Sequence, residues 1–130
     1  MDTVMLDRSV FVSGTLMQGQ RANHMLSGAR YAGKFQLRDF AMYHLGRYPG
    51  IVPCIGETVF GELYYVSQAM LEQMDEYEEE GSLYLRRIVQ RQGENGPCQA
   101  EAYIYNRDVT GCRLLRRAWN ALEEGVGEHV

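Results

Sequence analysis

The stretch from Thr58 to Glu80 reads TVFGELYYVSQAMLEQMDEYEEE. Its first half is rich in β-branched and aromatic residues, so Thr58 to Val66 reads as a strand. Gly61 inside that strand marks a bulge or a close crossing of another chain segment. Ser67 is placed to cap a helix running from Gln68 to Tyr77 or Glu78. Met70, Leu71, Met74 and Tyr77 form the helix's apolar face. Five of the six residues from Asp75 to Glu80 are acidic, which reads first as a solvated helix end. One acid departs from that reading. Glu78 falls about 50° from the centre of the apolar face, whereas Asp75, Glu76, Glu79 and Glu80 lie more than about 100° away. A carboxylate directed at an apolar interior is either paired or functional.

The flanking sequence supplies more strands. Ser9 to Ser13 reads as a strand with Val10 and Val12 on one face and Phe11 and Ser13 on the other. Gly14 to Gly19 then turns away from the sheet, and Gly14 permits close approach of backbone N–H groups to a ligand. Arg21 to Leu26 reads as a short helix. Gly28 to Leu37 and Phe40 to Leu45 read as two strands, and Gly46 to Gly50 as a turn with Pro49-Gly50 in type II geometry. Ile51 to Cys54, interrupted by Pro53, is expected to be irregular. Tyr84 to Arg91 and Ala100 to Tyr105 read as strands joined by a hairpin turn at Gly93 to Pro97. An amphipathic helix is expected through Leu114, Leu115, Ala118, Trp119 and Leu122. Strands dominate, with helices between and after them. The pattern is α+β: a curved mixed β-sheet or small β-barrel carrying two to three helices.

The composition bounds the function. The chain has 130 residues and is 45% hydrophobic, which fits one domain spanning 1–130. No run is long and apolar enough for a membrane helix, and the first fifteen residues contain no secretory pattern. Cys54, Cys98 and Cys112 are odd in number and scattered, which suggests reduced thiols and a cytoplasmic location. A net charge of -4 argues against nucleic acid. Arg113, Arg116 and Arg117 read as a solvated basic face. His24 has no second ligand at helical spacing, so no metal is expected.

Three segments taken in order resemble a known family. They are Val10-Phe11-Val12-Ser13-Gly14-Thr15-Leu16-Met17 with Asn23-His24, then Val59-Phe60-Gly61-Glu62-Leu63-Tyr64, then Met74-Asp75-Glu76-Tyr77-Glu78 followed by Tyr84-Leu85-Arg86. Together they resemble the γ-glutamylcyclotransferase-like family, which includes γ-glutamylamine cyclotransferases and the butirosin-pathway cyclotransferase. That family has a strand ending Tyr-Gly-Thr/Ser-Leu, a Gly-Glu-hydrophobic-Tyr strand, and an Asp-x-x-Glu helix end before a Tyr-x-Arg strand. The resemblance covers roughly residues 8 to 106. It implies that Glu78 is the catalytic acid/base and that Ser13, Gly14, Thr15 and Leu16 hold the glutamyl end of the substrate. It places Tyr84 in the same cavity, joined from the last strand by Tyr105 or Tyr103. Ser13 departs from the family's usual tyrosine and implies a wider or wetter pocket.

The implied reaction converts a γ-glutamyl amine or peptide to 5-oxoproline and a free amine, with no cofactor. The implied partner is a small-molecule γ-glutamyl substrate, with no membrane and with a monomer or weak homodimer. The alternative is a non-catalytic small-molecule binding domain that retains the same cavity.

Overall fold

A computed structural model describes residues 5–93 and 96–121. Six strands form one sheet: β1 (Arg8–Val12), β2 (Arg30–His44), β3 (Pro49–Val66), β4 (Tyr84–Gly93), β5 (Gly96–Tyr105) and β6 (Arg113–Leu115). Their order across the sheet is β4-β5-β1-β3-β2-β6. β1 and β5 run parallel, and the other neighbours are antiparallel. The sheet is therefore mixed, and it curls into a half-barrel. Helix α1 (Gln68–Glu78) and one 3-10 turn (Asn23–Leu26) complete the α+β architecture.

The alternation along each strand sorts its side chains into two cores. Phe11, Leu37, Met42, Ile51, Val59, Leu63, Val89, Ala100, Ala102 and Leu115 pack together on one face of the sheet. Val10, Val12, Leu16, Met17, Leu26, Tyr64, Val66, Leu71, Met74, Tyr84 and Tyr103 pack on the other, beneath α1. Val10 and Val12 thus oppose Phe11 as their positions predict. Ser67 caps α1, its Oγ accepting from the Met70 N–H at 3.1 Å. Leu71 and Met74 are fully buried. Gly61 sits where a close crossing demands it: a Cβ there would lie 2.4 Å from the Val12 carbonyl oxygen and 2.6 Å from the Phe11 ring.

Four expectations change. The two strands expected before residue 45 are one strand, β2, kinked by a register shift between Arg38 and Phe40. Asp39 carries φ 66° at that kink, and its carboxylate accepts from the Gly56 N–H at 3.0 Å. Ile51 to Cys54 is not irregular but belongs to β3, with Pro53 paired to Phe40 beside the same shift, the kind of irregularity at which a sheet tolerates proline. Pro49 and Gly50 begin β3 instead of forming the turn; the positive φ falls at Gly46, and the Leu45 N–H bonds the Tyr48 carbonyl. Leu114 and Leu115 are not helical. They pair with Tyr43 and Met42 of β2, satisfying a sheet edge that would otherwise stay open. Helical residues begin only at Trp119, and Leu122 lies outside the described residues. The centre of the expected turn at Gly93 to Pro97 also lies outside them, although β4 and β5 pair from Tyr84↔Tyr105 to Gly93↔Gly96. No described helix is long and apolar enough to cross a membrane.

Candidate active site

Where β1 ends, the chain turns through Ser13, Gly14, Thr15 and Leu16 and borders a cavity of about 230 Å³. The same cavity is lined by Glu78 at the end of α1, Tyr84 at the start of β4 and Tyr103 of β5. Tyr48 from the β2–β3 connection and Pro49 at the start of β3 close another side together with Arg21 and Tyr77.

The turn is tightly built. A Cβ on Gly14 would lie 2.8 Å from both Cγ and Cδ of Pro49, so only glycine fits. The three carbonyls of the turn are occupied. That of Gly14 accepts from the Met17 N–H at 3.0 Å, that of Thr15 from the Ala22 N–H at 3.0 Å, and that of Leu16 from Asn23 Nδ2 at 2.8 Å. Among the described residues the N–H groups of Gly14, Thr15 and Leu16 have no acceptor. The Thr15 hydroxyl and the Tyr77 hydroxyl share a hydrogen bond of 2.7 Å that ties the turn to α1. Glu62 fastens the turn's far end. It is fully buried, and its Oε1 accepts from the Gln18 N–H at 2.9 Å and from the Tyr64 hydroxyl at 3.3 Å.

Glu78 is half-buried, and among the described residues no ion pair or hydrogen bond holds its carboxyl. Burial penalises the charged form and raises its pKa from the ordinary 4.5 to about 7. Glu76, Glu79 and Glu80 are exposed, as a solvated run predicts.

Asp75 faces away from the apolar side of α1, and that face meets β4 and β5. Its carboxylate accepts from Arg86 Nε at 2.8 Å, from Arg86 Nη2 at 3.0 Å and from the Tyr103 hydroxyl at 2.7 Å. Arg86 also donates to Glu101, which pairs in turn with Arg8. Asp75 is an anchor that fixes the last turn of α1, and with it Glu78, to the sheet. The α1 terminus is closed by Glu79 in the left-handed region at φ 54°, with the Glu80 N–H bonding the Asp75 carbonyl at 2.9 Å.

The tyrosines divide by role. The Tyr84 hydroxyl donates to the Pro49 carbonyl at 2.6 Å, and burial pushes its pKa above the usual tyrosine range. Tyr84 is thereby a fixed wall, with no free proton for chemistry. Tyr105 does not line the cavity. It lies behind Tyr84 with ring centroids 5.4 Å apart and packs over Gly50. The register places Tyr103 opposite Arg86, two residues deeper into the sheet, and it is Tyr103 that reaches the cavity. Arg21, Tyr48, Pro49 and Tyr77 also line the cavity without a sequence signal beyond their turn positions, except that Tyr77 belonged to the apolar face of α1, and Glu79 of the acidic run borders it beside Glu78.

Residues 10–121 match the family described as gamma-glutamyl cyclotransferase, AIG2-like. The chain belongs to this family. Among its relatives, the "Gamma-glutamylcyclotransferase family protein YtfP" of Escherichia coli K12 is 35% identical over 106 residues, covering 82% of this chain and 89% of that protein. "Gamma-glutamylaminecyclotransferase A" of Danio rerio is 33% identical over 131 residues, covering 92% and 81%. The crystal structure of an AIG2-like protein from Mus musculus superposes with a TM-score of 0.75 at 25% identity, covering 84% of this chain and 86% of that one. The chain is an enzyme of the γ-glutamylcyclotransferase-like kind.

Proposed function

We propose that this protein converts a γ-glutamyl amine or peptide to 5-oxoproline and a free amine, with Glu78 as the acid/base. One observation carries the reading: a carboxyl poised near neutral pH lines the same small cavity as Gly14, Thr15 and Leu16, whose backbone N–H groups have no acceptor among the described residues. Unpaired amides are costly to bury, and a substrate carboxylate or a developing oxyanion satisfies them.

The reaction is intramolecular. The substrate's α-amine attacks its γ-carbonyl carbon, forming the ring C–N bond, and the bond from that carbon to the leaving nitrogen breaks. The cavity need only enforce the ring-forming conformer. The attacking amine must first lose a proton, and the carboxylate of Glu78 takes it. The leaving nitrogen must gain one, and the Glu78 carboxyl returns it. A group with a pKa near 7 serves in both directions. No enzyme nucleophile is required. Tyr48, Tyr84 and Tyr103 supply aromatic walls where Ser13 lacks one.

The test is stoichiometric product formation. The purified protein incubated with γ-glutamyl amino acids and amines is expected to release 5-oxoproline and free amine in equal amounts. Saturable binding of these compounds with no product would overturn the reading in favour of a binding domain.

A further inference from the structure

A second hollow of about 330 Å³ adjoins the cavity just described. It is lined by Thr15, Gly19, Gln20, Arg21, Arg47 and Trp119, and it shares Thr15 and Arg21 with the Glu78 cavity. Its two arginines come from separate connections, Arg21 from the segment after β1 and Arg47 from the β2–β3 turn. Among the described residues no carboxylate lines this hollow. Among the described residues neither Arg21 nor Arg47 is in an ion pair, whereas Arg8, Arg86 and Arg116 are. Two unpaired cations therefore converge beside the catalytic cavity of a chain whose net charge is -4. Trp119 is held at this wall by His44, with ring centroids 5.6 Å apart.

We propose that this second hollow is a subsite for a carboxylate on the amine half of the substrate, so that γ-glutamyl α-amino acids are favoured over γ-glutamyl monoamines and polyamines. The inference rests on the function proposed above. With the glutamyl end against the Gly14 to Leu16 amides and the γ-carbonyl beside Glu78, the substituents of the leaving nitrogen must extend out of a cavity of about 230 Å³. Thr15 and Arg21, common to both hollows, mark that path. Guanidinium groups bind carboxylates through short charge-assisted hydrogen bonds in a fixed fork. A protonated polyamine on the same path meets two like charges. Both arginines are exposed, so the preference is screened by salt.

The test compares kcat/KM for 5-oxoproline release from γ-glutamylalanine, its carboxamide γ-glutamylalaninamide, and γ-glutamylputrescine, using the full chain. The acid is expected to exceed the amide by about tenfold or more, the scale of one charge-assisted hydrogen bond, and putrescine is expected to be poorest. The acid-to-amide ratio is expected to fall toward one in Arg21→Gln, in Arg47→Gln and at high salt. Both side chains are exposed, so thermal denaturation should show both variants folded. Acid and amide used within twofold of one another by the wild type would overturn the subsite, as would a ratio that neither substitution changes. Equal loss on all three substrates in Arg21→Gln, with Arg47→Gln silent, would move the arginine's role to the glutamyl carboxylate and also overturn it. No product from any substrate would overturn the function itself, and the subsite with it.

Discussion

Replacing Glu78 by glutamine removes a titrating carboxyl while keeping its shape, and the stability of the two proteins is expected to diverge with pH. Burial raises the folded-state pKa of Glu78 from the ordinary 4.5 to about 7. The unfolded chain therefore ionises Glu78 before the folded one does. Below about 4.5 the residue is neutral in both states and costs nothing. Between about 4.5 and about 7 the unfolded chain has ionised while the folded protein retains the proton, so stability is lost progressively up to the folded pKa; above about 7 the loss is complete and constant. The gap between 4.5 and about 7 spans about 2.5 pH units. At about 1.36 kcal/mol per pH unit this corresponds to about 3 kcal/mol as an upper bound. The side chain is partly reached by solvent, which reduces the expectation to about 2 kcal/mol. Urea denaturation of wild type and Glu78→Gln at pH 4.5, 6 and 8 reads this directly. The stability of Glu78→Gln relative to wild type is expected to rise by about 2 kcal/mol from pH 4.5 to pH 8. A difference that stays constant within about 0.5 kcal/mol over that range would refute the raised pKa, because linkage admits no other outcome.

Gly14→Ala is expected to cost about 1–3 kcal/mol in denaturant unfolding and to lower turnover, because the new methyl meets the Pro49 ring at 2.8 Å and must displace the turn. Asp75→Ala leaves Arg86 with Glu101 alone and the Tyr103 hydroxyl without its acceptor, and a loss of about 2 kcal/mol in unfolding free energy is expected. The same variant should lower kcat, since the last turn of α1 no longer holds Glu78 in place. Tyr84→Phe leaves the buried Pro49 carbonyl without its donor and is expected to cost about 1–2 kcal/mol, with the acidic limb of the pH–rate profile unmoved.

The sequence was most legible where one local signal and one apolar face agreed. Ser67, the Leu71–Met74 spacing and the inward turn of Glu78 all belong to a single helix, whose period places each side chain without reference to the rest of the fold. Legibility failed where a distant strand decided the outcome. Leu114 and Leu115 have a spacing that suits a helix, yet the open edge of β2 takes them as a strand. Pro53 argues against a strand until the kink at Asp39 relieves it. Tyr103 and Tyr105 occupy equivalent positions on one face of β5, and only the register against β4 shows which reaches the cavity. Asp75 fell on the polar side of the helix wheel, and helical periodicity alone does not show that Arg86 and Tyr103 meet it across the interface. Arg21 and Arg47 lie in turns far apart in sequence, and only the folded chain brings them to one hollow.

The central claim is that Glu78 moves the protons, and single-turnover release of 5-oxoproline by Glu78→Gln tests it most directly, with 5-oxoproline affinity measured on the same samples. The variant is expected to bind 5-oxoproline as the wild type does and to form it at least about 100-fold more slowly, the contribution expected of a positioned acid/base. Release within tenfold of the wild-type rate, from a folded variant, would contradict the account.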